Sequence, residues 1–229
     1  SEVFSLMPND VSEKLKVYKT DGFVNGNIEI QTIKKEKTPR IKADFYIEKG
    51  TITEINSGVE LNDLALKGSY ELSPFTQKIE LINGKGKLSG GAFELSGKLL
   101  GTTIQTILTR TKGSFELDKL ARFLNVQSIE SMGGTLELNN EFRGSYRNGE
   151  LSVSEFLGSA KLKEASLQLK NNKTSYTGFN GDINFNRFKS NANITGRYGN
   201  SDLSISSQFS NFIPYLVNNQ TLDANIYVQ

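Results

Sequence analysis

The feature that most constrains the fold of this chain is a unit that occurs three times: a short amphipathic helix, a turn, and then alternating strands. The predicted helices are Asp10 to Lys19, Asp118 to Asn125 and Asn211 to Val217. An aromatic residue near the end of each helix, at Tyr18, Phe123 and Tyr215, marks spacings of 105 and 92 residues. Helices placed at such intervals between runs of strands predict an extended, modular sheet and not a compact enzyme.

The repeat divides the chain into three predicted parts. Residues 1–117 hold the first helix with its strands, residues 118–210 hold the second, and residues 211–229 begin a third. Because the third copy is so short, we expect the chain to be a piece of a longer protein. We also expect its last strand, Leu222 to Val228, to be a sheet edge that associates with other copies at high concentration.

A change of period separates the helices from the strands. The first helix is predicted from Val11, Leu15 and Tyr18, which lie on one face of a 3.6-residue period, and Gly22 is predicted to end it. The chain then alternates with a period of two, most clearly from Ile41 to Glu48. Repeated short alternating segments of this kind predict an all-β fold, which we interpret as an elongated, curled antiparallel sheet with two or three short helices.

Turns are predicted where glycine, proline and small polar residues cluster. The clusters are Glu48-Lys49-Gly50, Asn56-Ser57-Gly58, Ser73-Pro74, Asn83-Gly84, Gly90-Gly91 and Tyr198-Gly199-Asn200. Asn83-Gly84 is a strong signal for a tight hairpin turn. Between two of these clusters, Lys98 to Ile107 is predicted as a strand.

The composition excludes several kinds of chemistry. The chain has no histidine and no cysteine, which removes Ser-His-Asp and Cys-His catalysis, disulfides and most transition-metal sites. The carboxylate pairs Asp44 with Glu48 and Glu54 with Glu60 are predicted to lie on the polar side of alternating strands, so we expect no catalytic residues, no metal and no cofactor. The 27 basic and 25 acidic residues are spread along the chain, and no nucleic-acid partner is expected.

Three segments resemble the AsmA-like family. They are Asp10 to Gly26, Pro39 to Gly50 and Gly113 to Leu120. The resemblance implies a large protein of the Gram-negative envelope, anchored in the inner membrane by one N-terminal helix, with the rest in the periplasm. In that family, repeating sheets curl into a long groove with an apolar floor, which is associated with outer-membrane biogenesis and phospholipid movement. This chain holds no membrane helix, so the resemblance assigns it to the periplasmic part.

The candidate site is a stripe of alternating apolar residues. Its members are Phe45, Ile47, Leu64, Leu66, Phe93, Leu95, Phe185, Ile194, Leu203 and Ile205. The family resemblance implies that they bind phospholipid acyl chains, with the inner membrane and other envelope proteins as further partners. The same alternation is typical of an ordinary sandwich core, and a structural or adhesive β module that binds protein or glycan is the alternative function. An apolar face without a partner sheet would favour lipid, whereas a filled core with exposed aromatic clusters would favour adhesion.

Overall fold

The computed structural model describes residues 16–34, 38–126, 128–147, 150–170, 174–186, 189–210, 221 and 223–229, with the side chains of residues 150 and 151 excepted. Within these residues, twelve strands form one sheet in which the spatial order follows the chain order from β1 to β12. Each pair of neighbours is antiparallel, so the sheet is a meander, and β1 and β12 are its two edges. The predicted all-β, antiparallel fold is confirmed.

The strands are long compared with the predicted segments. Their bounds are β1 Tyr18–Gln31, β2 Arg40–Glu54, β3 Glu60–Leu72, β4 Gln77–Leu88, β5 Gly91–Leu100, β6 Gln105–Glu116, β7 Ile129–Arg147, β8 Glu150–Leu169, β9 Tyr176–Phe185, β10 Ser190–Tyr198, β11 Ser201–Phe209 and β12 Ala224–Val228. The sheet continues across the predicted boundary after residue 117, because β6 pairs with β7. The last strand lies at an edge, as predicted.

One helix, α1, lies within the described residues and spans Leu117–Phe123 between β6 and β7. It matches the predicted second helix with its bounds moved by one or two residues. Asp118 stands in its first turn and Arg122 in its last, which is the favourable arrangement for the helix dipole. The predicted third helix, Asn211 to Val217, lies outside the described residues, as does most of the first.

The predicted first helix is wrong where it can be compared with the structure. Tyr18 and Lys19 belong to β1 and pair with Glu54 and Thr53. Gly22 does not end a helix but lies at a bulge inside β1, with a φ of 128° that favours glycine. Three apolar positions set the helical period, and pairing with a 15-residue neighbouring strand overrides so weak a local signal.

Two predicted turns are also wrong, because the chain continues straight through them. Lys49 lies inside β2 with a φ of 55°, at a bulge between Ile47 and Gly50. Asn83-Gly84 lies inside β4, next to another bulge. Bulges and tight turns use the same residue types, since both need small or flexible backbone positions. The turns at Ser57, Ser73 and Gly199 are confirmed, and the predicted strand from Lys98 to Ile107 is interrupted between β5 and β6.

Candidate functional site: the apolar face of the sheet

The pairing register puts the predicted site residues of β2 to β5 on one face of the sheet. Ile47 lies directly opposite Leu66. Leu66 and Leu95 both lie opposite Gly84 of β4. Directly paired residues point to the same side of a sheet, and so do alternate residues of a strand. The same face therefore carries Phe45, Leu64 and Phe93 as well, and we call it the apolar face.

A row of directly paired residues, one from each strand from β4 to β12, shows that this face continues across the centre of the sheet. The row is Gly86, Phe93, Gly113, Leu138, Ala160, Ile183, Ala192, Ser207 and Ile226. Phe185 lies two residues from Ile183, and Ile194 and Ile205 lie opposite each other beside Ala192 and Ser207. Leu203 completes the set, two residues from Ile205. All ten predicted residues thus share the apolar face.

No second sheet lies over the apolar face within the described residues, which form a single sheet and one helix. Leu64 and Phe185 are buried, and the other eight predicted residues are half-buried. The total accessible surface is 15154 Å², whereas a compact monomer of this mass exposes about 10,000 Å². The part of the chain that the structure describes therefore lacks the second layer that a closed sandwich core needs.

Helix α1 covers one end of the apolar face. Its Leu120 and Phe123 pack against a buried cluster formed by Val59, Leu88 and Phe115. These three residues come from the β2–β3 connection, β4 and β6, so the helix runs back across several strands. We call this group the α1 cluster.

The far end of α1 reaches the edge strand β1. The Tyr18 hydroxyl donates a hydrogen bond of 2.8 Å to the carbonyl oxygen of Phe123, and their ring centroids are 5.3 Å apart. Because α1 follows β6 in the chain, this contact links the first and sixth strands of the sheet across the apolar face.

A second cluster lies on the apolar face of β8 to β11. Phe185 packs edge-on against Phe156, with centroids 4.5 Å apart, and also against Phe209 at 6.5 Å. Ala160 and Ala192 are buried beside these rings. Between the two clusters, Leu138 of β7 contacts both, so the apolar contacts continue through the middle of the sheet.

Several phenylalanine rings lie flat over glycines of the apolar face. A Cβ atom built on Gly86 would lie 2.9 Å from Cε1 and Cζ of Phe93. A Cβ atom built on Gly68 would likewise lie 2.5 Å from Cζ of Phe45. The missing glycine side chains leave room for the rings to lie along the sheet instead of standing on it.

The opposite face is polar and carries ion pairs between neighbouring strands. These include Lys85–Glu94 at 3.7 Å, Arg110–Glu141 at 2.8 Å, Arg143–Glu155 at 3.5 Å and Lys161–Asp182 at 3.9 Å. Exposed pairs of this kind add little stability each. Their main effect is to keep this face wet, so the two faces of the sheet differ strongly in polarity.

Glu54 departs from the predicted pattern. It was expected on the polar face, but it is 1% exposed and lies opposite Tyr18 at the α1 end of the apolar face. Its carboxylate accepts hydrogen bonds from the Ser57 backbone N–H at 2.6 Å and from Asn56 Nδ2 at 3.0 Å. The bonds from Ser57, helped by those from Asn56, hold the pKa of Glu54 below its usual range although desolvation opposes them. The carboxylate therefore anchors the β2–β3 turn.

Sequence reasoning missed much of the apolar face. The missed residues include Leu61, Leu88, Phe115, Leu138, Phe142, Phe156 and Phe209. The alternation of apolar and polar residues within each strand was the available signal. Each bulge shifts this alternation by one residue, so the sequence pattern no longer shows which residues share a face. Thr111 and Asn140 lie opposite each other as a polar spot among these residues, and Asn140 Oδ1 is buried without a hydrogen-bond partner.

Within the described residues, no three acidic, histidine or cysteine side chains form a metal-binding group. In the same part of the chain, no helix has the length and apolar character needed to span a membrane. Comparisons with protein-family models, with curated proteins and with solved structures give no match to this chain. The apolar face itself is therefore the basis for a functional argument.

Proposed function

We propose that the apolar face binds phospholipid acyl chains and conducts them along the sheet. In this proposal the chain is the periplasmic part of an AsmA-like protein that is anchored in the inner membrane and serves outer-membrane biogenesis. The observation that carries the proposal is the apolar face of a twelve-stranded sheet over which no second sheet lies in the described residues. The polar spot at Thr111 and Asn140 interrupts this face. A large apolar face left open to water is unusual in a soluble protein and marks a binding surface.

The size of the face suits acyl chains. Twelve strands at a spacing of about 4.8 Å extend over about 53 Å, several times the depth of about 15 Å that one leaflet's chains occupy in a bilayer. Each buried CH₂ contributes about 0.8 kcal/mol, so a 16-carbon chain gains on the order of 10 kcal/mol before ordering costs. Covering the face with acyl chains would therefore remove a large hydration cost.

We further propose that the sheet is elongated and curled, with the apolar face on its concave side. The contact between Phe185 of β9 and Phe209 of β11, whose ring centroids lie 6.5 Å apart, fits this shape, because a concave face brings side chains of non-adjacent strands together. The contact between Tyr18 and Phe123 across the face also fits a curled sheet. In such a groove the flat rings over Gly68 and Gly86 would form a smooth floor along which a chain slides without breaking directional bonds.

The open side of the proposed groove gives the lipid an orientation. Acyl chains would lie on the groove floor, while the phosphate-bearing headgroup would stay in water at the open side. Contacts with the floor are non-directional, so we expect weak headgroup selectivity. Helix α1 would close part of one rim of the groove and leave the rest open.

The decisive experiment is photocrosslinking at matched neighbouring positions. A photoreactive amino acid is placed at Phe93 or Leu203 on the apolar face, and at Glu94 or Ser204 on the polar face, in cells of a Gram-negative bacterium that make the protein. We expect lipid adducts at Phe93 and Leu203, with at least tenfold fewer at Glu94 and Ser204. Equal yields on both faces would refute the assignment.

Two further measurements separate this proposal from a protein- or glycan-binding module. Organic extracts of the purified protein should contain phospholipid by mass spectrometry, and Phe93→Asp should lower its amount at least severalfold while Glu94→Gln leaves it unchanged. Extracts without lipid, combined with binding of a protein or glycan that Phe93→Asp does not affect, would favour the adhesive module instead.

A further inference from the structure

Strand β1 has one side without a partner strand in the described residues. It is 14 residues long and pairs with β2 alone. On the apolar face, its Val24, Ile28 and Ile30 are 64%, 70% and 67% exposed. Their direct partners on β2 are half-buried. The missing neighbour on the free side of β1 explains why these three side chains are more exposed than their partners.

Lys19 and the bulge at Gly22 protect the first part of this edge, but the segment from Phe23 to Gln31 lacks the usual protection against pairing. Natural sheets guard exposed edges with proline, lysine, short strands or inward-pointing charges. The segment Phe23 to Gln31 contains no proline or lysine, and Glu29 is its only charged residue. Such an edge is suited to accept another strand.

We propose that β1 pairs antiparallel with β1 of a second copy of this chain, about a two-fold axis at Asn27. Asn27 then lies opposite its own counterpart, Val24 lies opposite Ile30, and Gly26 lies opposite Ile28. Because paired residues stay on the same side, the two sheets join into one with a continuous apolar face. The pairing stands on the edge itself and does not depend on lipid binding.

The register follows from two features of the sequence. Placing Ile28 over Gly26 repeats the arrangement in which Phe93 lies over Gly86, and it confines pairing to residues 23–31, beyond the bulge at Gly22. Shifting the axis to Asn25 would instead put Asp21 opposite Glu29, two like charges, which destabilises an antiparallel pair.

The free side of β12 is a poorer partner for β1. Strand β12 has 5 residues, Ala224–Val228, whereas the proposed β1 pair uses all residues from 23 to 31 of both copies. A contact of β1 with β12 would also leave one edge free on each molecule and so grow into an open filament. The two-fold contact of β1 with itself closes after two copies.

The chain has no cysteine, so single introduced cysteines report the register directly. In the proposed dimer the Cα atoms of the two Asn27 residues lie about 5 Å apart, within disulfide reach, whereas those of the two Asn25 residues lie about 14 Å apart. Under mild oxidation we expect Asn27→Cys to form a covalent dimer by itself. Asn25→Cys and Glu29→Cys should each stay monomeric alone and crosslink when mixed. Asp44→Cys, on the polar face of β2, is the matched control and should not crosslink.

Light scattering of the cysteine-free chain should show a dimer whose population rises with concentration. Ile28→Lys should weaken the dimer at least tenfold while circular dichroism confirms an unchanged β spectrum. A monomer at all concentrations, equal crosslinking of Asp44→Cys and Asn27→Cys, or self-crosslinking of Asn25→Cys would each overturn the proposal.

Discussion

The packing of Phe93 over Gly86 predicts a strong energetic coupling between these two positions. Gly86 is not among the residues with positive φ, so alanine fits its backbone and should by itself gain about 0.5–1 kcal/mol over glycine in a strand. The new Cβ would however lie 2.9 Å from two ring atoms of Phe93, and overpacking of this kind costs about 1–3 kcal/mol. We therefore expect Gly86→Ala to destabilise the protein by about 1 kcal/mol.

The same substitution should change sign when the ring is removed. Phe93→Leu eliminates Cε1 and Cζ, the two atoms that the alanine Cβ would meet. In that background we expect Gly86→Ala to stabilise by about 0.5–1 kcal/mol, which makes the coupling energy about 2 kcal/mol. Urea unfolding of the four proteins of this cycle gives the coupling directly.

Phe45→Leu provides the control background, because Phe45 covers Gly68 and not Gly86. There the cost of Gly86→Ala should equal its cost in the unmodified protein within about 0.5 kcal/mol. If Gly86→Ala has the same effect with and without the Phe93 ring, flat packing of rings over glycines is not what shapes the apolar face.

Two further predictions concern the end of the sheet that α1 covers. The lowered pKa of Glu54 means that its contribution to stability is present above the unfolded pKa of about 4.3 and is lost as the pH falls below it. The difference in unfolding free energy between the unmodified protein and Glu54→Gln should therefore shrink from pH 6 to pH 3, and a difference that grows on acidification would contradict this. Tyr18→Phe removes the hydrogen bond to the Phe123 carbonyl and should cost about 0.5–1.5 kcal/mol in chemical unfolding, whereas Tyr46→Phe, at an exposed position, should cost less.

The sequence was sufficient to predict the class of fold. Alternation of apolar and polar residues has a direct physical cause, since a strand with one wet face needs only every second residue apolar. The second helix was found because Leu117, Leu120 and Leu124 follow a helical spacing. The prediction that Asp118 caps it was wrong, because Asp118 lies in the first turn and the N-cap is Glu116, which makes no side-chain cap hydrogen bond.

The connections between strands were harder to predict, because glycine has two uses in this sheet. At Gly199 it allows the positive φ of a turn. At Gly84 the backbone is extended, and the absence of a side chain makes room for Leu66 and Leu81 from the apolar face. A single sequence contains the glycine but not the neighbour that requires it. For this reason long strands such as β4 were predicted as several short ones.

The order of the strands has a consequence for how this molecule responds to damage. Within the described residues, strands β2 to β11 each pair with the strands that precede and follow them in the chain, and the edge strands β1 and β12 each pair with one. Most strands therefore depend on their direct neighbours in the chain. Stability in such an array is a sum of local terms, as in stacked repeats, and unfolding can begin at one end while the other stays intact. Two features add contacts between strands that are not neighbours. Helix α1 connects β1 and the β2–β3 connection to the distant β6–β7 junction through Tyr18 and Val59. The contact of Phe185 with Phe209 connects β9 to β11. The strands from β1 to β7 should therefore exchange their amide hydrogens as one cooperative block. At the other end of the sheet, the edge strand β12 should open before the strands that the contact of Phe185 with Phe209 joins.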